Sequence, residues 1–547
     1  MMKHSYRTTR IILSTCLTLP LGLGALSACG DGDETLTDSA TGTETTQATE
    51  TETTPTTSNA TSDSETTEGP TGGMTVGETQ DTEEPTTEDP TEDPTEEPTT
   101  EDPTEEPTTE DPTEEPTTED PTEDPTEDPT DSESDSESDS DTETTMGACI
   151  PDAQKDATLT GVVFAPNGVI PVSGALVYTT PDPPEGIPQE VYCSECVELN
   201  CHQHDTLTEV DGTFTLNTVS GDDRYLVVRK GQFMRVVELT IEAGETPLDG
   251  DITSLPSEND PDNGLYIPKI AIADGSFDRI EDAMAKFGLG DTMISNFEER
   301  LVPDTESFDL WENGYDPGSD GLMSQGSFGT LIQDYELLKQ YHVIFIPCSS
   351  DTYTDLLNDP QVQDNIKNWV EAGGRWYVAD WSNEYMRNVF PQYQDFTLSG
   401  GDADLGSYDS LGVVLDDGLL DWLEALPEGL KDINPQNDEP HPTLSQLPKL
   451  QTVDNWSAIS QVNPVLVDDG MGGEIDVGHY VWIEGPHNND GVKPLTVTGQ
   501  YGCGKIQFTT YHTAEFFNYV GLSPQELVLL YTILEIGVCQ VDLPIPM

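Results

Sequence analysis

Cys348 closes the apolar run Val343-Ile344-Phe345-Ile346-Pro347, and His512 and Glu515 follow a second such run, Lys505–Tyr511. A thiol beside an imidazole becomes a thiolate nucleophile, and an acid can hold the imidazole in place, so Cys348, His512 and Glu515 are the candidate catalytic set. The order thiol, histidine, acid along the chain suits that role. Against it, Ser349 and Ser350 follow Cys348 directly, and a small thiol at the end of a buried strand needs no chemistry to explain it. The expectation is therefore a structural thiol, with no catalytic residue assigned. An extracellular thiol hydrolase or amidotransferase-like enzyme is the alternative.

A second cluster, Cys193-Ser194-Glu195-Cys196 followed by Cys201-His202-Gln203-His204-Asp205, holds soft ligands at short spacing. A zinc site of the common kind joins two well-separated couplets, and the second couplet is missing here. With Cys149 the cluster makes four cysteines, enough for two disulfides in any of three pairings. Cys503 and Cys539 flank the last strand and the closing helix and are expected to pair, which leaves Cys348 unpaired. The loop Gly400-Gly401-Asp402-Ala403-Asp404 lacks the ordered carboxylates of a calcium loop. His441, His479 and His487 show no ligand spacing. No metal and no cofactor are expected.

Near the start, Lys3, Arg7 and Arg10 precede the apolar stretch Ile11–Leu26, the layout of a secretory signal over residues 1–28. The stretch is shorter than the ~20 residues a spanning helix needs and contains Pro20, Gly22 and Gly24. Its last residues, Leu26-Ser27-Ala28-Cys29, resemble the bacterial lipobox, which implies cleavage before Cys29 and acylation of its thiol. Gly30, where an aspartate would favour inner-membrane retention, implies the outer membrane, with the protein anchored through Cys29 at the cell surface or on the periplasmic face. An oxidising compartment follows, and disulfides persist there.

The 547 residues carry a net charge of −86. The segment Asp31–Ala148 holds 41 acidic residues and no Lys or Arg, and the remainder after position 148 still has 65 acidic against 17 basic residues. Binding phosphates needs a basic patch, so nucleic acid is excluded as a partner. Residues 29–148 repeat units such as Pro90-Thr91-Glu92-Asp93-Pro94 and bury too little apolar surface to offset chain entropy, so a disordered acidic stalk is expected. At ~3.1 Å per residue, about 120 residues could extend a few hundred Å.

Beyond the stalk two periods of hydrophobicity follow one another. From 149 to 256 short alternating strands are expected at Ala157–Phe164, Ala175–Thr179, Thr213–Thr218, Tyr225–Arg229 and Val236–Ile241, with Asp211-Gly212 as a hairpin turn: an all-β sandwich. From 265 to 547 strands and helices alternate. The strands are Ile267–Ala273, His342–Pro347, Arg375–Asp380 and Lys505–Tyr511. The helices are Asp278–Phe287, 354–372, one capped by Asn383, and a closing helix opened by Ser523-Pro524-Gln525-Glu526. This pattern predicts a doubly wound, mostly parallel α/β sheet.

The runs Leu159-Thr160-Gly161-Val162-Val163, Pro171-Val172-Ser173-Gly174-Ala175 and Val210-Asp211-Gly212-Thr213-Phe214 resemble the carboxypeptidase regulatory-like, transthyretin-like family, a non-catalytic sandwich that implies display or binding. The second region resembles the class I glutamine amidotransferase-like fold. With the first region it looks like the myxobacterial surface lipoproteins that join the two. The residues that carry this are Ile267-Pro268-Lys269-Ile270-Ala271, Val343 to Cys348, Gly373-Gly374-Arg375, Gly502-Cys503-Gly504-Lys505 and Pro524-Gln525-Glu526. A glutaminase of that fold places its cysteine in a Gly-rich elbow after the strand Arg375–Asp380. Here Trp381 stands at that place without flanking glycine, which argues against glutaminase chemistry. The resulting expectation is a lipid-anchored envelope protein that binds or adheres to an unknown protein or glycan.

Overall fold

The computed structural model describes residues 154–194, 199–200, 202–350, 353–396, 404–435, 441–470, 472–488, 490–514 and 518–536. The signal, Cys29, the stalk, Cys149, Cys196, Cys201, most of the acidic loop that begins at Gly400, Glu515 and Cys539 lie outside them. The described residues all fall within one compact unit, Ser134–Met547.

Eight strands build the first layer pair: β1 (Ala157–Val162), β2 (Leu176–Thr180), β3 (His204–Leu207), β4 (Thr213–Thr218), β5 (Gly221–Lys230), β6 (Phe233–Ile241), β7 (Gly244–Pro247) and β8 (Leu265–Tyr266). They form a three-stranded sheet in the order β4-β1-β7 and a five-stranded sheet in the order β3-β2-β5-β6-β8. Alternation sets the faces: along β4, Phe214, Leu216 and Thr218 are buried while Thr213, Thr215 and Asn217 face out. Five of these strands overlap the expected ones, while β3, β7 and β8 are additional. His204 lies on β3 and its Nδ1 meets Thr218 Oγ1 at 3.0 Å, so this histidine serves the sandwich core.

Ten strands form the main sheet: β9 (Ile270–Asp274), β10 (Asp309–Glu312), β11 (Ser324–Ser327), β12 (Val343–Ile346), β13 (Arg375–Ala379), β14 (Asp404–Val414), β15 (Lys449–Ser457), β16 (Tyr480–Pro486), β17 (Val492–Tyr501) and β18 (Gly504–Thr509). Their spatial order is β11-β10-β9-β12-β13-β18-β17-β16-β14-β15. The six strands from β11 to β18 run parallel to one another. The four pairings from β18 to β15 are antiparallel. Five of the nine pairings are parallel, so the parallel majority expected of this sheet is a narrow one. Parallel neighbours need crossover segments, whereas antiparallel β16 and β17 follow one another with no helix between them; the helix Asp417–Ala425 between β14 and β15 buries Leu419, Trp422 and Leu423 in the core.

The central parallel strands β9, β12, β13 and β18 are buried on both faces, as their near-continuous apolar runs require, while the edge strand β11 is not. Ile270, Ile272, Val343, Phe345, Tyr377 and Ala379 enter one core layer, which also contains Leu159, Phe214, Leu226 and Phe233 from the sandwich. Ala271, Ala273, Ile344, Ile346, Trp376 and Val378 enter the other, packed with Ile366 and Trp369 of the helix Pro360–Glu371. The helix expected over 354–372 is split: Asp359 caps Gln361 (2.9 Å) ahead of Pro360, and Thr354–Asn358 forms a separate 3-10 turn. A proline disfavours helical backbone in the residue before it, so the break falls there. The capping box at 523–526 forms as expected. Ser523 N–H donates to Glu526 Oε2 (2.6 Å) and Glu526 N–H donates to Ser523 Oγ (3.1 Å). Asn383 caps nothing: its own backbone is helical, and its Nδ2 donates to the Asp380 carbonyl (3.4 Å).

The cysteine pairing differs from expectation. Cys503 is bonded to Cys193, with Cα atoms 5.3 Å apart and a sequence separation of 310, so it does not pair with Cys539, and Cys193 does not pair within its own cluster. The sheet explains this. Cys503 lies in the β17–β18 turn, where its N–H donates to the Glu371 carbonyl at the end of the long helix (2.9 Å). The sandwich segment carrying Tyr192 and Cys193 lies against Gly373 at the same corner, where a Cβ would strike the Tyr192 carbonyl. Cys348 is unpaired, as expected.

Candidate active-site geometry at the carboxyl edge of the sheet

The strand order reverses at β9, with β10 and β11 on one side and β12, β13 and β18 on the other. Such a reversal opens a crevice beyond the carboxyl ends of the strands. Cys348 lies two residues past β12, Asp380 directly after β13, and His512 three residues past β18. Three neighbouring strands therefore deliver three side chains to one point. Cys348 Sγ lies 3.1 Å from His512 Nε2, and Asp380 Oδ2 lies 3.3 Å from the same nitrogen. The donor atoms of the three residues are all within 4.8 Å of one another. Cys348 and Asp380 are fully buried, and His512 is 7 % exposed.

A fourth residue, Asp278 in the loop after β9, holds the edge together. Its carboxylate accepts hydrogen bonds from Thr513 N–H and Ala514 N–H (both 2.9 Å), and the backbone of Cys348 bonds to it as well. One buried carboxylate thus ties the Cys348 turn to the His512 turn. Burial raises the pKa of Asp278 to about 6 in spite of these donors. Asp380 is likewise pushed far up by burial, against hydrogen bonds from Ser457 and from Trp456 N–H (3.0 Å). Burial and then the charge of Asp380 raise the Cys348 thiol well above its usual range, although the Trp381 backbone bonds to the sulfur.

Sequence reasoning brought Cys348 and His512 to the same edge, and the structure joins them. It missed Asp380 and Asp278. The strained turn after β13 is made by Asp380, at φ 52°, one residue ahead of Trp381, where the sequence comparison had placed the elbow. Aspartate tolerates left-handed backbone better than most residues, so an Asp at the first position past a buried parallel strand was the available signal. Trp381 instead packs edge-on against Phe277 (5.6 Å) and Trp456 (5.3 Å).

A cavity of about 310 Å³ opens beside His512. Its walls include Arg279, Lys286 and Arg300, four carboxylates, Trp456, Asn518 and Tyr519. Each of the three cations is already engaged: Arg279 with Glu281, Asp282 and Asp320, Lys286 with Glu526, and Arg300 with Asp282 and Glu298. Neither Cys348 nor Asp380 lines the cavity, and both lie behind the imidazole.

No family model and no curated protein matches this chain. Among solved structures it is similar to two cytoplasmic proteins of Salmonella typhimurium, each at 13% identity. They cover 51% and 49% of this chain and 100% and 98% of their own, with TM-scores of 0.25 and 0.24. It is also similar to a ThuA-like protein from Bacteroides uniformis at 12% identity, covering 40% of this chain and 78% of that one, with a TM-score of 0.23. Likenesses this distant add nothing to the chemistry of the site.

Proposed function

We propose that this chain is a lipid-anchored envelope protein, held through acylated Cys29 and the acidic stalk, whose folded part binds a neutral polyhydroxylated ligand of the glycan class beside His512. In this reading the first region is a carboxypeptidase regulatory-like sandwich and the second an amidotransferase-like α/β domain without thiol catalysis. The order of basic residues, apolar run and lipobox supports the anchor. Among the described residues no helix is long and apolar enough to cross a membrane.

The observation that carries the non-catalytic reading is the shared nitrogen. In a thiol relay the acid orients one ring nitrogen while the other faces the nucleophile. Here Asp380 and Cys348 meet the same Nε2, the thiol is fully buried, and two carboxyl groups oppose its ionisation. The glycan reading rests on the cavity. Its cations are paired with carboxylates, so an anionic ligand finds no uncompensated partner, whereas hydroxyls can donate to one sign and accept from the other. Trp456, half-buried in the cavity wall, offers aromatic surface for a sugar ring. Saturation-transfer NMR of the purified protein with a panel of neutral oligosaccharides tests this. Binding to at least one, abolished by Trp456→Ala, is expected. A panel with no binder, or binders that are all strongly anionic, would overturn the glycan reading.

A further inference from the structure

We propose that Cys348, Asp380 and His512 are the protein ligands of a zinc ion. A thiol, a carboxylate and an imidazole come from the ends of three adjacent strands, and their donor atoms converge within 4.8 Å. Zn–S, Zn–N and Zn–O bonds of normal length hold tetrahedral ligands about 3.4–3.6 Å apart. The Sγ–Nε2 and Nε2–Oδ2 separations of 3.1 and 3.3 Å reach that with a movement of a few tenths of an ångström.

Without a cation the three groups are held by hydrogen bonds in which the weak thiol donor serves Asp380. A single Nε2 faces both the sulfur and the carboxylate, and one ring nitrogen carries at most one proton to share between them. A cation at the centre gives each of the three atoms its own bond. The charges favour the same ion. Among the described residues no Lys or Arg forms an ion pair with Asp380 or with Asp278 behind it. Burying carboxylates without a counter-charge is costly. On binding, the Cys348 thiol, and the Asp380 carboxyl where it is protonated, release their protons to solvent as the Zn–S and Zn–O bonds form. Thiolate and Asp380 carboxylate together then neutralise Zn²⁺, and His512 coordinates as the neutral ring. The mixed sulfur, nitrogen and oxygen set suits zinc better than calcium or magnesium, which take oxygen donors.

The supporting shell is present. Asp278 fixes the Cys348 and His512 turns relative to each other, and the His512 carbonyl accepts a hydrogen bond from Gln525 Nε2. Such outer contacts orient metal ligands and hold their spacing. Three protein donors leave a tetrahedral ion one position short, which a water molecule or another small oxygen donor would complete. The sequence showed no ligand motif because the three residues are separated by a helix and by the whole antiparallel half of the sheet.

The inference does not depend on the glycan reading, and the test separates them. Full-length protein, purified without chelator, should contain about one zinc per chain by plasma mass spectrometry. Cobalt exchanged into the chelated protein should show a thiolate-to-cobalt charge-transfer band. Cys348→Ser and Asp380→Asn should each lower zinc content at least tenfold, while Trp456→Ala should leave it unchanged even as oligosaccharide binding disappears. Should Cys348→Ser fail to fold, the cobalt spectrum of the unaltered protein decides. Zinc below about 0.1 per chain after dialysis against Zn²⁺, with no charge-transfer band, would overturn the assignment.

Discussion

Two corners of this molecule contain the same residue types, a buried cysteine and a buried histidine, yet use them in opposite ways. At the seam between sandwich and sheet, Cys193 is bonded to Cys503 and His342 is satisfied entirely by backbone. Its Nδ1 accepts from Lys269 N–H (2.8 Å), and its Nε2 faces the carbonyls of Pro188 (3.0 Å) and Glu190 (3.2 Å). At the carboxyl edge, Cys348 and His512 are satisfied by each other and by Asp380. Side chains satisfied by backbone act as staples, because fixed amide partners leave them one protonation state. Side chains that converge on one another with carboxylates nearby leave a point where a further ligand is favourable. The neighbours, not the residue types, separate structure from function.

The seam should fail first when its cross-link is removed. Replacing Cys193 and Cys503 by serine opens a constraint across 310 residues and should cost about 5 kcal/mol in the chain-entropy model. Chemical denaturation of variant and unaltered protein measures this, and non-reducing peptide mapping should recover the Cys193–Cys503 peptide pair. A loss under about 1 kcal/mol would mean that the shared core alone joins sandwich to sheet.

Acid should act on the seam through His342. Burial, helped by the nearby Arg375 charge, lowers its pKa to about 4 in spite of the Pro188 and Glu190 carbonyls. Between pH 6.5 and about 4 the unfolded chain therefore binds a proton that the folded chain excludes. This group's contribution is full above pH 6.5 and falls as pH drops through that window, by about 3 kcal/mol in total. Buried carboxylates such as Asp274, raised to about 7, have the opposite slope, so the comparison must be made against a variant. The stability of the protein relative to His342→Gln should decline by that amount between pH 6.5 and 4. A flat difference would show that the ring is not held neutral.

The edge should be distinguished by reactivity. Alkylation of Cys348 at pH 7 should be at least about a hundredfold slower in the folded protein than after denaturation in the presence of chelator, since the sulfur is fully buried. Fast, saturable labelling abolished by His512→Ala would move the edge from binding to thiol catalysis. The smallest effect provides a calibration away from both corners. Ser523→Ala removes one arm of the capping box and should cost about 1 kcal/mol by thermal or chemical denaturation, without changing Cys348 labelling.

Much of this organisation was legible from local pattern. The strand Thr213–Thr218 has its expected bounds, and the parallel strands near 270, 343, 375 and 505 were visible as apolar runs bounded by turn residues. The capping box at Ser523–Glu526 is a four-residue motif and needs no distant information. The antiparallel half was not legible. Strands such as Tyr480–Pro486 and Val492–Tyr501 mix polar and apolar residues because one part of each is covered and another is not. Cys348 was rightly expected to be unpaired, but through the wrong pairing. Cys503 appeared nearest to Cys539 along the chain, whereas the sheet brings the Cys193 segment to the same corner.

The sequence by itself determined what depends on neighbours a few residues apart: the acidic repeats, the lipobox pattern, the change from period two to alternating strand and helix, and the capping box at Ser523–Glu526. Only the tertiary structure decided what depends on strand order. Strand order set the reversal at β9, the Cys193–Cys503 bond and the meeting of Cys348, Asp380 and His512. The reason is geometric. A parallel sheet places residues from distant segments side by side at its carboxyl edge, about 4.8 Å apart per strand, and nothing in the local sequence encodes which strands become neighbours.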